Sequence, residues 1–167
     1  FSTYPQSLRL LLMKLIILKN NLVAGLNFIE GSVGENTNLS ILKNVFLGTE
    51  DNQILLISTN LELAAKHNLS GKIIEKGSLA VPFLIFNNII KNLTSERITL
   101  EKKGKTLVIT TDNYEASIHS QETKDFPIIP SIQNKTTSIK IKLELLKNSL
   151  ASVIVASQYS DIRPEIS

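Results

Sequence analysis

Lys14-Leu-Ile-Ile-Leu-Lys-Asn-Asn-Leu22 is the stretch from which the fold can be worked out, because the chain nearly repeats it. The second copy, Lys142-Leu-Glu-Leu-Leu-Lys-Asn-Ser-Leu150, keeps six of its nine residues at an offset of 128 positions. Each copy predicts a short apolar strand that runs into a Lys-Asn pair and then into an amphipathic helix. The spacing predicts one complete domain, residues 13–134, followed by the beginning of a second, related domain, residues 135–167.

The residues before the first copy do not resemble a targeting segment. Arg9 and Lys14 interrupt the apolar run Leu8–Leu18, and no small-residue cleavage site follows it. The run is also too short to span a bilayer. Met13 opens the first predicted strand, so we interpret residues 1–12 as a leader outside the domain.

Composition excludes several classes of protein. The chain has 167 residues, of which 43% are hydrophobic and 20% charged, as in ordinary globular domains. A formal net charge of +3 excludes a polybasic nucleic-acid binder, so any cationic function depends on where the charges lie. The absence of cysteine excludes a disulfide framework and a thiolate zinc site, and it fits a cytoplasmic location.

Two helices are expected in the first domain. Asn20 or Asn21 is expected to cap the first, and its predicted buried stripe is Leu22, Val23, Leu26 and Ile29. Pro82 is expected in the first turn of the second. That helix has Phe86, Ile89, Ile90 and Leu93 as its predicted core stripe and Asn87, Asn88, Lys91 and Asn92 as polar cover.

The strands are expected mainly in hairpin succession. Alternation favours a strand at Leu61–Leu69, although its composition favours a helix. The other predicted strands are Val45–Thr49, Gln53–Ser58, Ser78–Val81, Arg97–Lys102, Thr106–Thr111, Tyr114–Gln121 and, in the second unit, Ser138–Lys142 before a helix at Leu146–Ser157. This order predicts an α+β fold with an antiparallel sheet and two helices on one face.

No catalytic constellation can be assembled from the sequence. His67 and His119 lie in predicted strands without an acidic partner at short spacing, and phosphate-loop, nucleophile-elbow and zinc-protease motifs are absent. We therefore predict a non-enzymatic protein without cofactor or metal. Lys19, Asn20, Asn88 and Lys91 offer hydrogen-bond donors to phosphate oxygens, although the same residues also fit an ordinary solvated helix face.

An ordered set of short motifs resembles the bacterial DNA polymerase III beta subunit family, the sliding clamps. The resemblance covers Met13 to the end of the chain. Its motifs are Met13-Lys-Leu, Leu39-Ser-Ile-Leu-Lys-Asn-Val45, Ser58-Thr-Asn-Leu-Glu62, Val81-Pro-Phe, Asp125-Phe-Pro127 and Ser160-Asp-Ile-Arg-Pro164.

The resemblance implies a DNA-clamp fold with three similar domains in each subunit and a ring of two subunits. Helices line the hole, and the ring tethers the replicative polymerase to duplex DNA. The residues expected to face DNA are Lys19, Asn20, Asn36, Asn88, Lys91, Lys147, Asn148 and Arg163. Asn36 stands where the family often has arginine, so the contact there is expected to be weaker.

The resemblance also implies partners. The expected ring interface includes Ile85, Ile89 and Ile118, which fit an ordinary core equally well. The polymerase and the clamp loader are expected to bind through the second and third domains, beyond the matched part. Two alternatives remain open: a protein-interaction domain without a DNA role, and a non-catalytic part of an enzyme whose active site lies elsewhere.

Overall fold

The computed structural model describes residues 12–34, 39–129 and 139–154. The chain divides into two units, one ending at Ile129 and the other beginning at Pro130. Among the described residues, no helix has the length and apolar character needed to cross a bilayer.

The first copy of the repeated stretch forms a strand and a helix without a break. Strand β1 is Leu12–Leu18, and helix α1 is Lys19–Ile29. Alternate residues of β1, namely Met13, Leu15 and Ile17, are buried. No side-chain hydrogen bond caps α1, so the predicted capping by Asn20 or Asn21 is wrong. The side chain of Asn21 instead donates to the carbonyl of Ser70 at 3.1 Å.

The strands form two antiparallel sheets. The first has five strands in the order β5-β1-β7-β8-β9, and the second has four in the order β4-β3-β2-β6. The strands after β1 are β2 Asn44–Glu50, β3 Gln53–Thr59, β4 Ala64–Leu69, β5 Gly71–Glu75, β6 Ser78–Pro82, β7 Arg97–Lys103, β8 Thr106–Thr110 and β9 Glu115–His119. The predicted antiparallel α+β class is confirmed, although a single sheet was expected.

Two of the connections between the two sheets depend on specific residues. At one, β4 passes into β5 through Ser70, where Gly71 is needed because a Cβ atom would lie 2.9 Å from the carbonyl oxygen of Ile16. At the other, Ala80 and Gln121 exchange backbone hydrogen bonds of 3.1 and 2.8 Å. The side chain of Asn44 donates to that of Gln121 at 2.8 Å, which strengthens this second connection.

The loop before β4 explains why this strand begins later than predicted. Asn60 Oδ1 accepts hydrogen bonds from the backbone amides of Glu62 and Leu63, at 3.0 and 2.7 Å. Leu61 adopts a positive φ of 78° in this turn. The prediction of a strand rather than a helix is correct, but the asparagine turn delays it until Ala64.

Helix α2 spans Phe83–Asn92, with Pro82 as its N-cap. Its buried face is Phe83, Phe86, Asn87 and Ile90, whereas Ile89 is only half-buried. The prediction that Asn87 belongs to the polar cover is wrong, because its position lies four residues after Phe83 and three before Ile90, on the same helix face.

In the second unit the structure describes helix α3, Leu143–Ile154. Residues 139–142 form no strand, so for them the predicted strand Ser138–Lys142 is wrong. A strand needs a neighbour for its backbone hydrogen bonds, and the described part of this unit contains no other strand. The helix begins at Leu143, three residues before its predicted start at Leu146.

Candidate nucleic-acid interface

Helices α1 and α2 lie in contact with each other. The apolar face of α1 packs on the core through Leu22, Leu26 and Ile29, and α1 also contacts β3 and β4. Gly25 allows this close approach, since a Cβ atom there would lie 2.6 Å from Leu69 Cδ2. The packing leaves the opposite faces of the two helices exposed side by side.

Lys19 does not extend freely into solvent. It is half-buried, and its ammonium group donates a hydrogen bond to the carbonyl of Leu93, the C-cap residue of α2. A cation at this position satisfies a carbonyl that lacks a partner within the helix and also interacts favourably with the helix dipole. Lys19 thus connects the beginning of α1 to the end of α2.

A carboxylate makes a second connection between the helices. Glu30, directly after α1, has Oε2 3.8 Å from Lys91 Nζ and Oε1 3.5 Å from Asn87 Nδ2. Asn87 is only 5% exposed, and its Oδ1 atom has no hydrogen-bond partner among the described residues. Lys91 therefore presents its charge beside a carboxylate rather than alone.

The exposed polar residues of this surface are mainly amides. Asn20 and Asn27 are exposed on α1, and Asn88 and Asn92 are exposed on α2. Asn92 Nδ2 donates to the backbone carbonyl of Asn88 at 2.8 Å, so the side chain of Asn88 takes no part in that bond. Such amides donate to phosphate oxygens without adding charge.

Three apolar side chains on the same helices are exposed, and sequence reasoning missed two of them, Phe28 and Leu84. Phe28 is 61% exposed on α1, and Leu84 and Ile85 are 72% and 53% exposed in the first turn of α2. The Phe28 ring packs against His67 of β4 with a centroid separation of 5.0 Å. Hydrophobicity alone assigns such residues to the core. The signal that could have identified them as exposed is their position on the helix, away from the buried stripe.

The three residues expected at a ring interface differ in exposure. Ile85 is exposed, and Ile89 is half-buried in an open groove of about 350 Å³ that Asn92 and Tyr114 also line. Ile118 is 3% exposed and belongs to the chain's own core, so it presents no side chain to a partner. The edge position of β9 in the five-stranded sheet leaves backbone groups beside the groove.

The remaining residues expected to face DNA lie either in the second unit or outside the described residues. Lys147 and Asn148 are exposed on α3, but they fall in its second turn, whereas Lys19 and Asn20 begin α1. The repeated sequence therefore does not begin a helix at the same point in both copies. Asn36 and Arg163 lie outside the described residues.

Titratable groups with altered pKa values lie away from α1 and α2. Burial lowers the pKa of Lys102, whose ammonium donates to the carbonyl of Ser78 at 2.9 Å. The ion pair of Lys124 and Glu122, 2.9 Å apart, lowers the pKa of Glu122 and raises that of Lys124. Within the described ranges, no group of three metal-binding side chains lies close enough to hold an ion.

These features define an antiparallel two-sheet domain that exposes two adjoining helices. The family model for the DNA polymerase III beta subunit, N-terminal domain, matches residues 13–130. The chain therefore belongs to the DNA polymerase III beta subunit family.

Individual relatives agree with the family match. The chain is 27% identical over 139 residues to the beta sliding clamp of Chlamydia pneumoniae, covering 83% of this chain and 38% of that protein. It is 29% identical over 151 residues to the beta sliding clamp of Vibrio cholerae, covering 89% of this chain and 40% of that protein. The chain thus spans about two-fifths of the length of these relatives.

Solved structures share the fold. An Eubacterium rectale protein described as a DNA polymerase III beta subunit superposes with a TM-score of 0.83 at 28% identity, covering 89% of this chain and 41% of that one. The DNA polymerase sliding clamp of Bacillus subtilis gives the same TM-score at 21% identity, covering 91% of this chain and 42% of that one. At this low identity, the similarity to the Bacillus subtilis structure shows a shared fold and nothing more.

Proposed function

We propose that the protein is a subunit of a DNA sliding clamp, which encircles duplex DNA and holds the replicative polymerase on its template. The observation that carries the proposal is the family match across residues 13–130. The exposed amide-rich faces of α1 and α2 support it, because they suit contact with a phosphate backbone without base recognition.

The charge of this surface fits a clamp that slides. Each cation that neutralises a phosphate adds salt-dependent affinity, and movement along DNA must break that contact. Among the exposed polar side chains of the two helices, Asn20 and Asn88 are uncharged and Lys91 is partly balanced by Glu30. A closed ring stays on DNA through its topology, so tight local contacts are unnecessary.

Within the predicted set we propose different roles for different residues. We assign the phosphate contacts of the first domain to Asn20, Asn88 and Lys91. Lys19 acts by holding α2 in place, since its ammonium group already binds the Leu93 carbonyl. Lys147 and Asn148 are the corresponding proposals for the second domain, and Asn36 and Arg163 stay sequence predictions.

We further propose that two subunits form the ring, with β9 and the α2 residues Ile85 and Ile89 on one side of the interface. An edge strand can extend its sheet by pairing with a strand of another subunit. The polymerase and the clamp loader would bind parts of the protein beyond this chain. The subunit would be a non-catalytic processivity factor in the cytoplasm.

Retention on circular DNA tests this function. The full-length protein is loaded by its clamp loader onto a nicked circular plasmid, and bound protein is separated from free protein by gel filtration. Cutting the plasmid once after loading should release the protein, because a ring slides off the ends. Equal retention before and after the cut would refute encirclement, and no retention on either DNA would favour the protein-interaction alternative.

A further inference from the structure

Glu30 lies where it can compete with DNA for Lys91. The Glu30 carboxylate is 51% exposed and the Lys91 ammonium side chain 39% exposed, so both remain accessible to solvent and to a ligand. Their atoms approach to 3.8 Å, and Asn87 Nδ2 lies 3.5 Å from the other carboxylate oxygen. The lysine is therefore already beside an anion before any phosphate arrives.

The position of Glu30 is not explained by the stability of α1. It follows the C-terminal end of α1, where the helix dipole disfavours a negative charge. An exposed ion pair contributes little to stability, because solvent screens it and both side chains lose freedom. The main effect of the pair is on how much of the Lys91 charge is available to another anion.

We propose that Glu30 is an internal competitor that weakens the DNA contact of Lys91, an inference that rests on the proposed clamp function. A phosphate that reaches Lys91 must replace the carboxylate, so the lysine exchanges one anion for another. The net gain from the contact is then small, and fewer counterions are released when DNA binds. Glu30 would thus keep this surface weakly adhesive.

The test compares four forms of the full-length protein: wild type, Glu30→Gln, Lys91→Met and the double variant. Glutamine keeps the shape of glutamate and one acceptor oxygen for Asn87, but it removes the charge. Glu50→Gln is the matched control, because Glu50 also pairs with a lysine, Lys66, at 3.1 Å. That pair lies at the end of β2 away from the Asn44–Pro82 pairing that leads into α2.

Equilibrium binding of a short linear duplex is measured by fluorescence anisotropy over a range of salt concentrations. Glu30→Gln should tighten binding about two- to fivefold at low salt, the range expected when one exposed charge pair is removed. It should also steepen the decrease of log K with log salt by roughly 0.9, the value for one added phosphate contact. Lys91→Met should abolish both effects.

Two outcomes would overturn the inference. One is an affinity gain for Glu30→Gln no larger than that for Glu50→Gln. The other is an equal gain in the Lys91→Met background, which would mean that Glu30 acts only as general negative charge. Either result leaves the clamp function intact if the protein still leaves DNA after linearisation. Loss of that topological behaviour in wild type would instead reject the proposed function itself.

Discussion

Replacing Asn87 with leucine should stabilise the first unit. Asn87 lies on the buried face of α2 at 5% exposure, and its Oδ1 atom has no partner among the described residues. Leucine has the same number of side-chain heavy atoms and the same branching at Cγ. The substitution therefore removes a buried polar atom without a large change in volume.

The expected gain follows from two opposing terms. A buried acceptor without a hydrogen bond costs about 1–3 kcal/mol. The variant loses the Asn87 Nδ2 contact with Glu30, which at 3.5 Å is at the limit of a hydrogen bond and is worth roughly 0.5 kcal/mol. We expect a net stabilisation of about 0.5–2.5 kcal/mol, which corresponds to a rise in Tm of roughly 2–10 °C for a unit of this size.

Urea denaturation followed by far-UV circular dichroism measures this difference. Asn88→Leu is the control, because Asn88 is the exposed neighbour on the same helix and should give no comparable gain. A loss of stability in Asn87→Leu would refute the reasoning. It would mean that Oδ1 has a partner, such as a bound water, whose hydrogen bonds the leucine cannot replace.

Two further substitutions test other parts of the first unit. Lys19→Met keeps the apolar stem but removes the group that caps α2, so we expect a loss of about 1 kcal/mol in urea denaturation. The same variant should change the salt dependence of DNA binding less than Lys91→Met, and an equal change would restore Lys19 as a phosphate contact. The pair of Glu122 and Lys124 gives a pH effect, because the lowered pKa of Glu122 means that the folded state favours the charged carboxylate. This contribution is complete above the ordinary glutamate pKa and is lost as pH falls through the lowered pKa of the folded state. Acid titrations of wild type and Lys124→Met should therefore converge at low pH, and parallel curves would exclude the pair as the cause.

The sequence was sufficient for the elements whose pattern is strong. The apolar run before the Lys-Asn pair predicted β1, and the helical spacing after it predicted α1. The neighbouring strands Val45–Thr49 and Gln53–Ser58, expected in hairpin succession, form the hairpin of β2 and β3. Strand β5 was missed because it is short and mostly exposed, with Lys72 and Glu75 among its five residues. Its main support is antiparallel pairing with β1, which no local pattern reveals.

The candidate site shows the same limit for individual side chains. Residue type correctly indicated an amide-rich surface, since Asn20 and Asn88 are both exposed. Residue type did not show that Asn87 would be buried, because in a sequence an asparagine at a core position cannot be distinguished from an asparagine on the surface. Nor did it show the partners of Lys19 and Lys91, which depend on how α1 and α2 meet.

The partners of these two lysines limit how much of their attraction for phosphate is available on this surface. Lys19 was expected to bind DNA because it begins the repeated Lys-Asn pair, yet its ammonium group holds the end of α2. Lys91 faces solvent, but Glu30 offsets its charge. One lysine thus fixes where the exposed amides lie, and the other retains only part of its attraction for phosphate. In the proposed ring, which would remain on DNA by encircling it, accurate placement of weak contacts matters more than their strength, because each strong contact would slow sliding.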